Sequence, residues 1–273
     1  MVEHIVEEFG QPKLRALVQS YATGIDTETA ISQVLGEDID ALQVSFDRFL
    51  EQRYGALRAA LAAPEGLAPD ASPDALRTLA TDNPGSFPAQ MAFGMSLKAT
   101  APDRAIEVFE RAATLVPHAT GPESPYAQIA DVALAKGDTA RAVEALDTLT
   151  GFDHSDLASA RKLASLVDAE RNPALLKTAL TRAVAVDPFD SASHTTLGRL
   201  ALAENAPAEA VRMFRVALAA GPVDKAGAHA DLAEGLFEAG DRDEARREAL
   251  AALEIAPTYS RAQDLLLKLI GGR

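Results

Sequence analysis

The chain contains no cysteine and no tryptophan, and only 5% of it is aromatic. Without cysteine there is no disulfide, no thiolate metal site and no cysteine nucleophile. So few aromatics leave little material for platforms on which bases or sugars stack. Basic residues are scarce as well: Lys+Arg number 26 against 40 Asp+Glu, a formal net charge of −14. Phosphate backbones are held by clusters of Lys and Arg, so this balance argues against nucleic acid as a partner. It argues equally against an anionic lipid surface. No apolar run approaches the roughly 20 residues that span a bilayer, so no membrane insertion is expected. No basic-then-apolar leader opens the chain as given. What is present is the composition of an ordinary globular protein, 48% apolar and 24% charged over 273 residues. That length suits one large domain or two small ones.

The second half of the chain repeats itself. Leu197-Gly198, Ala201, Ala210, Phe214, Ala217 and Pro222 are followed by Leu232-Ala233, Leu236, Gly240, Ala245, Ala249, Ala252 and Pro257. Pro188 lies 34 residues before Pro222, behind Leu163-Ala164, Val167, Leu176, Leu180 and Ala183. Fainter copies hold Gly137, Ala142, Leu146 and Leu149, and, further upstream, Gly94, Ala105, Phe109, Ala112 and Pro117. Apolar residues recur three and four apart within each unit, which places them on one face of a helix. Each unit therefore reads as two amphipathic helices. Small residues such as Gly198, Ala210 and Ala233 let the helices approach, and larger ones such as Phe214 and Leu232 fill the space between pairs. The proline follows the second helix, which its ring cannot continue. Asp190 or Ser191 and Asp241 are suited to capping, and Pro207 to a first helical turn.

This spacing resembles that of the tetratricopeptide repeat (TPR) family, whose 34-residue unit carries Leu-Gly, Ala, Phe, Ala and Pro in this order. The first copy departs by one residue fewer between Gly94 and Ala105, and the second has His154 in place of proline. The resemblance covers about 87–270. It implies an all-α solenoid of about five helix pairs, near 87–117, 123–154, 157–188, 191–222 and 226–257, with a capping helix over 258–270. The polar outer face that such an end needs would come from Arg261, Gln263, Asp264 and Lys268.

Residues 1–62 do not follow the repeat. They read as an N-terminal region of helices near 2–9, 11–23, 27–35 and 38–61, the first three stopped by Gly10, Gly24 and Gly36. Thr27 is the expected cap of the third, and Asp38 or Asp40 of the fourth. A linker with a short helix, 63–86, leads to the solenoid, 87–273. Phe9-Gly10, Lys13-Leu14-Arg15-Ala16-Leu17, Gly24-Ile25-Asp26-Thr27-Glu28-Thr29-Ala30 and Leu35-Gly36 resemble the helical tail of bacterial M-A-like (gluzincin) zinc peptidases. In that family the zinc-binding His-Glu-x-x-His helix lies upstream of this tail, and it is absent here. The resemblance implies an alternative function: the chain as the non-catalytic C-terminal part of a metallopeptidase, recruiting substrate or a partner.

No constellation in the sequence points to chemistry. The five histidines, at 4, 118, 154, 194 and 229, contain no zinc pair. His4 with Glu7 and Glu8 reads as a solvated helix face. Asp153-His154-Ser155-Asp156 holds the residue types of a catalytic triad, but neighbours in sequence do not adopt its relay geometry. Ser155 or Asp156 reads instead as a helix cap. No catalytic residue, metal site or cofactor is expected.

The resemblance implies that the first helix of each pair lines a concave groove. The groove residues would then be Met95 and Lys98 in the first unit, Asp131 in the second, and Arg161 and Asp168 in the third. Arg199 and Leu202 belong to the fourth unit, Glu234 and Phe237 to the fifth. Arg161 and Arg199 either meet a ligand carboxylate or pair inside the groove with Asp131, Asp168 or Glu234. The Lys and Asn pattern by which carboxylate-clamp TPRs hold chaperone C-termini is absent. The expectation is a module that binds a peptide or partner protein in the groove, across the third to fifth pairs, with Phe237 as the apolar anchor.

Overall fold

The computed structural model describes residues 1–271. All of the regular structure in them is helical. The helices are α1 (Val2–Phe9), α2 (Gln11–Ser20), α3 (Thr27–Leu35), α4 (Ile39–Leu61), α5 (Pro73–Asp82), α6 (Phe87–Leu97), α7 (Pro102–Leu115) and α8 (Pro125–Ala135). They continue as α9 (Thr139–Phe152), α10 (Leu157–Leu166), α11 (Pro173–Val186), α12 (Ser191–Ala203), α13 (Pro207–Ala219), α14 (Lys225–Glu238), α15 (Arg242–Ile255) and α16 (Ser260–Gly271). A short 3-10 helix, Tyr21–Thr23, follows α2 where the sequence suggested one continuous helix over 11–23. Two compact units result. One takes in Met1–Phe93 with Thr114–Val116; the other takes in Gly94–Ala113 and the chain from Pro117 on.

In the first unit, Ile5, Leu17, Ala30, Ile31, Leu35 and Leu42 form a small core that Phe9, Leu14, Ile25 and Val34 extend. Gly10, Gly24 and Gly36 end their segments at positive φ, a conformation that costs a residue with a Cβ. Asp26, not Thr27, caps α3: its Oδ1 accepts the Thr29 backbone N–H at 2.9 Å and its Oδ2 the Thr29 hydroxyl. These bonds hold the Asp26 carboxyl below the usual carboxylate range. Asp38 caps α4 through the Ala41 N–H at 2.7 Å. His4 is not on a solvated face. It is 3% exposed, its Nε2 lies 2.8 Å from the Ser45 hydroxyl, and its ring rests against Phe46 and Phe49.

In the second unit, α8 packs on α9, α10 on α11, α12 on α13 and α14 on α15, and each later pair stacks on the one before it. The capping helix α16 packs on α14 and α15. The repeat spacing has a direct structural meaning. Ala105, Ala142, Leu176, Ala210 and Ala245 form one buried column, and seven residues on Ala112, Leu149, Ala183, Ala217 and Ala252 form another. Both columns lie on the second helix of a pair, facing the first. Aspartates begin the helices: Asp138, Asp156, Asp190, Asp224 and Asp241 each accept a backbone N–H from the first turn. Each satisfies one of the donors that a helix start leaves open.

Candidate functional site

A trough of about 580 Å³ in the second unit is formed by α10, α12, α14 and the two loops that enter α12 and α14. Its walls carry Arg161 from α10, Thr195 and Arg199 from α12 and Asp231 from α14. Its lips are the loops Asp187-Pro188-Phe189-Asp190 and Gly221-Pro222-Val223-Asp224. Phe189 is 77% exposed and Val223 fully exposed. These two residues occupy equivalent repeat positions, 34 apart. The short loops hold them there, because a proline stops the preceding helix and an aspartate caps the next.

Both arginines are held by carboxylates. Arg161 donates from Nε to Asp190 and from Nη2 to Asp187, each at 2.9 Å. Asp190 also accepts the Ser193 N–H and hydroxyl. Burial pushes its carboxyl up, but the bonds from Arg161 and Ser193 outweigh this and hold it below the usual range. Arg199 donates to both oxygens of Asp231, at 2.9 and 3.2 Å. Asp231 is 3% exposed and is shared: Arg261 of α16 donates to its Oδ1 at 2.7 Å and to Glu234 at 2.7 Å. Burial alone would lower the Arg261 pKa; the bonds to Asp231 and Glu234 raise it above the ordinary value instead. A chain of charge-assisted bonds, Arg199–Asp231–Arg261–Glu234, thus runs across α12, α14 and α16. A guanidinium has five N–H donors. Arg161 uses two of them in these bonds and Arg199 one nitrogen, so both retain donors on the trough wall with about half of each side chain exposed.

The remaining expected groove residues fall elsewhere. Met95 is exposed on α6. Lys98 donates to Gln128 at 2.6 Å, and Asp131 accepts from Lys162 at 2.7 Å. Asp168 closes the turn after α10 by accepting the Glu170 and Arg171 N–H groups. Leu202 packs against the core around Phe214. Glu234 and Phe237 line a separate depression of about 150 Å³ between α14 and α16, with Arg261, Leu265 and Lys268. Phe237 is half-buried on the core, and Arg242 stands 5.8 Å over its ring. The in-groove partners expected for Arg161 and Arg199 were Asp131, Asp168 and Glu234. The structure supplies Asp187, Asp190 and Asp231 instead. Asp187 ends α11 and Asp190 caps α12, and Arg161 of α10 reaches both across this short loop.

The Asp153-His154-Ser155-Asp156 segment is a helix-start turn. Asp153 accepts the Ser155 N–H and hydroxyl and the Gly121 N–H, and Asp156 caps α10 through the Ser159 N–H. Among the described residues no three His, Asp or Glu side chains are grouped to hold a metal ion. No helix among them is long and apolar enough to cross a membrane.

Paired helices, a small-residue register and a terminal capping helix define an all-α solenoid of TPR type. Among solved structures the chain is similar to YrrB, described as a TPR protein with an unusual peptide-binding site, with 18% identity and a TM-score of 0.48 over 71% of this chain and 98% of that one. It is similar also to MamA, with 19% identity and a TM-score of 0.44 over 62% and 90%. A third similar structure is PilF of Pseudomonas aeruginosa, with 14% identity and a TM-score of 0.42 over 82% and 95%. No family model and no curated protein matches the sequence.

Proposed function

We propose that this chain is a non-catalytic interaction module that holds an extended segment of a partner protein in the trough between α10, α12 and α14. The observation that carries this reading is the pairing of fixed polar donors with exposed apolar lips in one depression. Arg161 and Arg199 are already oriented by carboxylates, so a ligand does not have to order them, and their unused N–H groups suit peptide carbonyls or a carboxylate. Phe189 and Val223 leave a large apolar area in water that a partner side chain would cover. The trough wall and lips carry Arg161 and Arg199 against Asp187, Asp190, Asp224 and Asp231. A polyanion would meet this excess of carboxylate, whereas a peptide with apolar side chains and hydrogen-bonding backbone fits it.

The test is selection of peptides from a display library on the intact chain, followed by titration calorimetry of the selected peptides. The expected result is that Phe189→Ala with Val223→Ala weakens them tenfold or more. Equal binding by this double variant would place the site outside the trough.

A further inference from the structure

Among the described residues, little covers the second half of α4. This 23-residue helix buries only Leu42 and Ala60. From Leu50 to Ala59 every residue except Gly55 is exposed. Leu50, Tyr54, Leu57 and Leu61 are 37%, 45%, 38% and 48% exposed. Their spacing of four, three and four residues puts all of them on one stripe of the helix. The adjoining face is occupied within the unit: Arg53 reaches back to Glu3 of α1 at 2.7 Å and to Glu7 at 3.2 Å. A helix turn with so little burial has small stability of its own, because most helical stability in proteins comes from packing an apolar face.

We propose that this stripe is covered by the same stripe of a second copy of the chain, the two α4 helices running antiparallel about a two-fold axis between Gly55 and Ala56. In that register Leu50 faces Leu61 of the other copy and Tyr54 faces Leu57, so every apolar layer meets an apolar layer. The flanking charges complement each other as well. Glu51 and Arg58 lie beside the stripe on the same edge and pair with each other at 2.7 Å within one helix. An antiparallel copy brings Glu51 of one helix within two residues of Arg58 of the other, a rise of about 3 Å, twice and on the same edge, within reach of these long side chains, as the edge positions of antiparallel coiled coils do. Local charge also permits the approach. Residues 1–85 hold fourteen acidic against six basic side chains, yet 50–61 hold Arg53 and Arg58 against Glu51 alone.

Sedimentation equilibrium of the full chain tests this. The expected result is a mass rising to twice 28.7 kDa at tens of micromolar. Leu57→Glu should weaken the dimer at least tenfold while the far-UV circular dichroism stays unchanged, since Leu57 makes no part of the core. Arg58→Glu should weaken it too, and adding Glu51→Arg should restore it. The chain has no cysteine, so mixing Tyr54→Cys and Leu57→Cys proteins under mild oxidation should give the mixed cross-link in excess over either self-link. A monomer at these concentrations, a dimer indifferent to Leu57→Glu, or self-links at position 54 in excess would each overturn the proposal.

Discussion

A Cβ built on Gly198 would stand 2.4 Å from Cε1 of Phe214, inside the ring's van der Waals envelope. The same relation recurs at the other end of the array, where a Cβ on Gly94 would meet Phe109 at 2.5 Å. The ring of the second helix lies on the bare backbone of the first, and its size is matched by the absence of a side chain. Where the repeat has Ala130 or Ala164 at this position, the facing residue is Leu146 or Leu180. These four pairs keep their combined volume nearly constant, as close packing requires; in the fifth, Ala233 and Ala249 are both small, and Leu265 of α16 packs with them.

Gly198→Ala is therefore expected to destabilise the chain by about 1–3 kcal/mol through overpacking, and Gly198→Leu by more. Phe214→Leu alone should cost about 1–2 kcal/mol through the space it leaves. Combined, Gly198→Ala and Phe214→Leu recreate the Ala–Leu solution of the neighbouring pairs. The double variant should melt at a higher temperature than additivity of the two single variants predicts. Strict additivity in urea denaturation would show that the two positions are not in contact.

Asp231 is the hub of the bonds between α12, α14 and α16. Asp231→Asn removes the charge but keeps the shape, leaving Arg199 and Arg261 with one weak acceptor between them. The expected loss is about 1–3 kcal/mol, in the range of hydrogen bonds to charged groups. It should be nearly independent of added salt, because the carboxylate is buried and screening acts on exposed charges. A loss that disappears in 0.5 M salt would mean that the arginines hold the helices only by surface attraction.

Acid should act on two carboxyls of the inter-helix turns. The carboxyl of Asp190 is held below its ordinary range in the folded chain, and so is that of Asp153. In both cases burial opposes ionisation and the hydrogen bonds to the charged form outweigh it. A lowered folded pKa means that the unfolded chain binds protons more readily. The stabilisation is therefore complete above the unfolded value near pH 4 and is lost as the pH falls through the folded value. Asp190→Asn should flatten the acid limb of a stability-against-pH curve and leave its shape above pH 5 unchanged. A parallel curve for the variant would remove Asp190 from the groups that drive acid unfolding.

Much of this architecture was legible in the sequence because a helix pair is a local object. Gly198 and Phe214 are 16 residues apart, and their contact follows from two helices and one short turn. The missed features depend on longer reach or on irregular backbone. His4 is buried by Ser45, Phe46 and Phe49, more than forty residues away, which helix periodicity around His4 does not show. Asp26 takes the cap from Thr27 because the two candidates are adjacent and only the backbone angle at Asp26, extended at φ −75° and ψ 168°, distinguishes them. Phe189 and Val223 lie in loops, outside any helical face. Their signal was positional: the segments Asp-Pro-Phe-Asp and Gly-Pro-Val-Asp stand in register with the repeat.

The trough and the smaller depression between α14 and α16 make different demands on a ligand, and one set of variants separates them. Arg161 and Arg199 line the larger trough, and Phe237 lines the smaller one with Glu234 and Arg261. Replacing both trough arginines with alanine removes donors worth about 1.5–3 kcal/mol each when they meet a charged acceptor. Peptides selected on the parent chain should bind this double variant at least tenfold more weakly. Phe237→Ala should leave their affinity within about twofold while lowering the melting temperature, since Phe237 packs on the cores of α12–α16. Calorimetry of one peptide against the three proteins reads both outcomes. A large loss of affinity for Phe237→Ala, with little for the arginine variant, would move the binding site to the depression between α14 and α16.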